Sequence, residues 1–133
     1  MRHKGSISEV QVERNRLLLK MFNDIKKECR HASAYDICQE ISLMPAPRYY
    51  MSEERGYVVY LQWIMYGDIE VVSPHKKLLY LDFVRRCDEL PRNGLGMKDI
   101  VFEVLQQPAI ILGVSTKHIM KIIHNSKLTT QNL

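Results

Sequence analysis

Residues 36–60 read DICQEISLMPAPRYYMSEERGYVVY, and residues 99–123 read DIVFEVLQQPAIILGVSTKHIMKII. At an offset of 63 positions they match at Asp36 and Asp99, Ile37 and Ile100, Glu40 and Glu103, Pro45 and Pro108, Ala46 and Ala109, and Ser52 and Ser115. Ile41 with Val104, Met51 with Val114 and Val59 with Ile122 are conservative companions. A fixed-offset repeat of this kind takes precedence over local propensity. Each copy begins as a helix, is stopped by proline, which lacks an amide hydrogen and forces its predecessor out of helical angles, and restarts at a serine suited to cap a helix. Any helix hairpin uses Asp, Pro and Ser as punctuation. The preserved Pro-Ala pair and its constant distance to the serine ask for more, namely a fixed turn geometry.

Working outward, Ser6 followed by Glu9 is a capping-box pattern, and Val10, Leu17, Leu18, Met21, Phe22 and Ile25 then recur at the three-and-four spacing of one helical stripe. A helix over 8–30 is expected, long enough to brace both copies or to form a dimer seam. Ser33 is the expected cap of a helix over 34–43. Ser52, with Glu53 and Glu54 favoured by the dipole in the first turn, opens the next, and Gly67 closes it. Asp68 to Val72 reads as a connector, because its short run of branched residues has no partner strand. Ser73-Pro74 caps a linking helix over 75–90, and Pro91 to Gly96 is a loop. Helices over 98–107 and 115–125 complete the second copy, and 126–133 reads as a frayed tail. The expected fold is all-α: a single domain over 1–133, a small bundle of about six helices holding a duplicated helix, Pro-Ala turn, helix unit, with the first repeat at 34–66 and the second at 98–125.

At 133 residues the chain has the size of one domain with one shared core. Hydrophobic residues make up 46% and charged residues 26%, too apolar for disorder. Apolar runs such as Val58 to Tyr66 and Ala109 to Val114 are much shorter than the roughly 18 to 20 residues that span a bilayer. The start, Met1 to Gly5, is basic but leads into a polar stretch, so neither a secretion signal nor a membrane partner is expected, and the expected location is the cytoplasm. Cys29, Cys38 and Cys87, odd in number and scattered, read as reduced, half-buried thiols. Cys29, His31 and Cys38 lack a fourth ligand at zinc spacing, so no metal or other cofactor is expected. Glu53-Glu54, Asp88-Glu89 and the aligned Glu40 and Glu103 adjoin no histidine, nucleophile or glycine-rich phosphate loop, so neither an enzyme nor a small-molecule substrate is expected.

The net charge of +4 and the pI of about 9.0 favour polyanionic partners. Distribution tells more. Positive and negative residues interleave along the first helix, whereas no acidic residue follows Glu103, and Lys117, Lys121, Lys127, His118 and His124 remain.

The stretch Ala109-Ile110-Ile111-Leu112-Gly113-Val114-Ser115-Thr116-Lys117-His118-Ile119-Met120-Lys121-Ile122 resembles the helix-turn-helix motif of bacterial DNA-binding proteins. Ala109 would let two helices approach, Gly113 would take a left-handed turn angle, Val114 would plug the angle between helices, and Ile119 and Ile122 would anchor the second helix. The resemblance implies duplex DNA as partner, with Ser115, Thr116, Lys117, Lys121 and His124 facing it. Arg48, Arg55 and Lys127 are further candidate contacts as basic side chains, outside what the resemblance carries over. Pro108 departs from the family pattern: either the first helix of the motif begins there and is short, or the 98–107 helix ends there and the turn is long. The first copy departs further, with Pro47 inside the segment, Tyr50 in place of the glycine and Gly56 in place of an anchor. Pro45 to Arg55 also resembles a motif of small uncharacterised proteins of gut bacteria and their mobile elements, which implies a fold and no activity.

Two readings follow. One is a sequence-specific or structural DNA-binding protein, a regulator or mobile-element protein, in which two motifs form an internal pseudo-dimer or the second alone reads DNA in a homodimer. The other is a protein-interaction or assembly module using the long first helix and Tyr49, Tyr50, Tyr57 and Trp63. Arg48-Tyr49-Tyr50 fits either a phosphate contact beside stacking rings or a turn whose tyrosines cover the core and cap it with their hydroxyls. Arg85, Arg86, Lys76 and Lys77 either extend a basic surface or are plain exposed helix charge.

Overall fold

The computed structural model describes the backbone of residues 9–71 and 73–131, with side chains to residue 126. It holds six helices among the described residues, and no strand: α1 (Glu9–Glu28), α2 (Ala34–Ser42), α3 (Glu53–Tyr66), α4 (Pro74–Glu89), α5 (Met97–Leu105) and α6 (Thr116–Gln131). None is long and apolar enough to cross a membrane. Ser6 lies outside the described residues. Ser33, Ser52 and Ser73 stand in extended backbone at the starts of α2, α3 and α4, their hydroxyls accepting from the amides of Asp36, Arg55 and Lys76. Gly67, at φ 67°, ends α3. The last helix continues to Gln131 instead of fraying after Asn125, since no glycine or proline interrupts 126–131.

The elements follow the 63-residue offset closely, with α2 and α5 each nine residues long and ten residues joining each of them to the next helix. The 75–90 segment, expected only to link, stands to α5 as α1 stands to α2. Packing crosses between the halves. Helix α2 lies chiefly on α6 and α3 chiefly on α5, while α1 covers α2 and α6, and α4 covers α5 and α3. The first helix does brace both copies.

The two Pro-Ala turns meet in the middle. The Ala46 amide donates to the Ala109 carbonyl at 3.0 Å and the Ala109 amide returns a bond to the Ala46 carbonyl at 2.9 Å. Leu112 N–H reaches the Met44 carbonyl at 2.9 Å, and Tyr49 N–H reaches the Leu105 carbonyl at 3.2 Å. Proline explains the register: it ends the helix and fixes an extended entry, so that the next residue presents its amide and carbonyl to the other turn. Alanine explains the closeness, because both methyl groups are buried where larger side chains would part the turns.

One carboxylate ties these turns to α4. Asp82 Oδ2 accepts from the Tyr49 hydroxyl at 2.5 Å and from the Ile110 amide at 3.2 Å, and Oδ1 accepts from Arg86 Nε at 3.2 Å. Burial and this carboxylate push the Tyr49 phenol far above its ordinary pKa, so it stays a donor. A second carboxylate, Asp88, accepts from the Tyr60 hydroxyl and Trp63 Nε1, pinning α3 to α4. Cys38 and Cys87 are buried and Cys29 is exposed, where three half-buried thiols were expected; burial pushes the Cys87 thiol up to about 12.

Gly113 carries φ 84°, and a Cβ there would lie 2.5 Å from Leu79 Cδ2. Gly113→Ala should therefore lower stability by about 2 kcal/mol or more, combining left-handed strain with a clash. Gly56→Ala should also destabilise, although the same change in an exposed helix gains up to about 1 kcal/mol, because the new methyl would sit 2.9 Å from Val101 Cγ1. Asp82→Ala, which strands three donors, should cost about 2 to 3 kcal/mol. Urea unfolding monitored by far-UV circular dichroism checks all three.

Candidate nucleic-acid interface

Helix α6 is held from beneath. Ile119 and Ile123 are buried on the side packed against α2 and α1, while Ile122, expected as an anchor, is half-buried. Four and three residues apart on the opposite side, Lys117, Lys121 and His124 form one exposed stripe, bordered by exposed His118 and Asn125. The described part of α6 carries no carboxylate.

The first two residues expected at DNA have structural employment. Ser115 Oγ accepts from the His118 amide at 3.2 Å and so caps α6, and the Thr116 hydroxyl lies 3.4 Å from that of buried Ser42 on α2. Both are half-buried. Their donors and acceptors serve the fold first, leaving Lys117, Lys121 and His124 as the side chains of the expected set that stand clear in solvent.

The turn between α5 and α6 is the long one of the two alternatives that Pro108 leaves open, running from Gln106 to Ser115. Ala109 meets Ala46 instead of a helix, Gly113 takes the expected left-handed angle, and Val114 is buried. The main partner of α6 is α2 from the other half of the chain, not α5.

Of the secondary residues, Arg48 is turned toward α1. Its Nη1 lies 3.4 Å from Glu13 Oε2, and its guanidinium stands 5.7 Å from the centre of the Tyr50 ring. Tyr49 is fully buried and hydrogen-bonded, so its ring and hydroxyl belong to the core. Arg55 is exposed and borders a cleft between α1, α3 and α4. The Lys127 side chain lies outside the described residues. Lys77 pairs with Asp68 at 3.4 Å and Arg86 with Asp82, which removes both from a shared basic face. Among the described residues no three His, Cys, Asp or Glu side chains gather as metal ligands.

Two cations join the stripe from elsewhere. Partial burial, and then the charges of Arg14 on α1, Lys76 on α4 and Lys121, hold the His118 imidazole below its usual pKa. Four basic groups from three helices thus share one neighbourhood. The contribution of Arg14 had one sequence signal, its place four residues before Leu18 on the stripe that faces the core. That of Lys76 needed the fold.

Because folding depresses the His118 pKa, the unfolded chain binds this proton more readily than the folded one. The associated stability is present above the ordinary value of 6.5 and is lost as pH falls through the depressed folded value. Thermal melts between pH 7.5 and 5 should show a drop in Tm that is smaller in His118→Asn than in wild type; equal drops would remove His118 from that balance. Comparison with known proteins finds no matching family model, no matching curated sequence and no matching solved structure.

Proposed function

We propose that the protein binds duplex DNA through the exposed face of α6, as a regulator or mobile-element protein. The observation that carries this reading is the stripe of Lys117, Lys121 and His124 on a helix without carboxylates, extended by Arg14, Lys76 and His118. Lysines so placed release condensed counterions when they meet phosphates, and this entropy gain supplies most non-specific affinity. The resemblance to helix-turn-helix proteins supports α6 as the inserted element. The ten-residue turn and the packing of α6 on α2 make its presentation this chain's own.

A second reading rests on a different surface. Ile64, Met65 and Tyr66 are exposed together at the end of α3, with Val58 exposed one and a half turns earlier, and interfaces favour such residues. An assembly module would use this end of the molecule, and size measurements with Met65→Glu distinguish it from DNA binding by α6.

In an electrophoretic shift assay at low salt, micromolar protein should retard a duplex. Lys117→Glu and Lys121→Glu should each weaken the complex and lower the steepness of the log-affinity against log-salt plot by about one, with unchanged melting. Affinity should rise between pH 7.5 and 6, because bound phosphate favours the imidazolium of His118. Absence of any complex at low salt would remove the DNA reading.

A further inference from the structure

The cleft that Arg55 borders has a volume of about 440 Å3; Lys117, Lys121 and His124 do not line it, although its cations Arg14 and Lys76 also act on His118 at the edge of their stripe. Arg14, Arg55 and Lys76 are the cations that line it, Tyr80 is among its hydroxyl donors, and Glu54 is the one carboxylate among its lining residues.

Three features of these donors are unusual for a merely solvated groove. Arg14 is half-buried, yet both Nε and Nη2 bond only to the neutral Asn15 Oδ1, at 3.2 and 3.1 Å. No carboxylate among the described residues pairs with Arg14, Arg55 or Lys76. A half-buried guanidinium ordinarily gains a carboxylate, since taking it from water without one is costly; burial here lowers its pKa with no compensating cause. The third feature is Tyr80. The residue is 5% exposed, and its hydroxyl has no hydrogen-bond partner among the described residues. Among the described residues no side-chain polar atom that is sealed in the interior lacks a partner, so this hydroxyl opens into the cleft it lines. Arg55 is near enough for its charge to act on that phenol.

We propose that this cleft is a binding site for a phosphate monoester, with Arg14, Arg55, Lys76 and the Tyr80 hydroxyl converging on the phosphate. Three cations against one carboxylate leave an excess that suits a dianion better than the single charge of a phosphodiester. The remaining volume is walled by the Tyr50 ring, Val58 and Leu79, which suit the organic part of the ester. A small carboxylate would leave most of these donors unused. The site does not depend on DNA binding by α6.

Isothermal titration of the full chain with inorganic phosphate, adenosine monophosphate and adenosine tests the site, with a duplex as a fourth arm. Phosphate and the monophosphate should bind saturably one to one, and adenosine should not. Arg14→Gln and Arg55→Gln should each weaken monophosphate binding about tenfold or more, and Tyr80→Phe severalfold. Lys117→Glu should leave that binding intact while weakening the duplex. The proposal is overturned if neither phosphate nor the monophosphate binds saturably, if adenosine binds equally well, or if binding is lost with Lys117→Glu and kept with Arg14→Gln. Should Arg14→Gln fail to fold, the contrast between monophosphate and adenosine on wild-type protein, together with Tyr80→Phe, decides the matter.

Discussion

The reciprocal pair of backbone hydrogen bonds between Ala46 and Ala109 joins two chain segments that are far apart in sequence, and the rest of the packing is arranged around it. Each bond contributes only about 1 kcal/mol net, less than one well-buried isoleucine. Their weight is geometric. With the turns held in register, α2 must lie on α6 and α3 on α5, and Ile37, Ile41, Ile100, Val104 and Ile119 are then buried in one core instead of two. Asp82 strengthens the same junction by binding one donor from each turn, Tyr49 and Ile110.

The two halves share a scaffold and differ in what they present. At the offset of 63, Lys117, Lys121 and His124 of α6 correspond to Glu54, Val58 and Leu61 of α3. Where α6 buries Ile119, α3 has Gly56, and Val101 and Phe83 fill the space. Tyr60 and Trp63 of α3 are further committed to Asp88. One helix therefore shows a cationic stripe, and its counterpart an acidic start and an apolar end. A single architecture places these two surfaces, and half-buried Arg14 and exposed Lys76 border the first of them.

Local features were legible in the sequence. Ser33, Ser52, Ser73 and Ser115 have the placement of caps and do cap, and helices end ahead of Pro45, Pro108 and Gly67. What could not be read was which helix meets which. A local pattern in α2 specifies an apolar face without naming α6 as its cover, and the kinship in placement of α1 and α4 leaves little trace because surface-helix residues are interchangeable. The candidate site divides in the same way. Lys117, Lys121 and His124 follow from helical periodicity and the missing acids after Glu103. The bond of Thr116 to Ser42, and the approach of Arg14 and Lys76 to His118, depend on tertiary placement that no spacing encodes.

The proposal that a hydrogen-bonded junction of turns holds a basic helix toward DNA is tested directly by amide NMR, in a titration of the labelled chain with duplex DNA. The expected result is shifts concentrated on Lys117 to Asn125 and on Arg14 and Lys76, with the Ala46 and Ala109 amides unmoved. Shifts centred on Ile64 to Tyr66, or none at all, would contradict it.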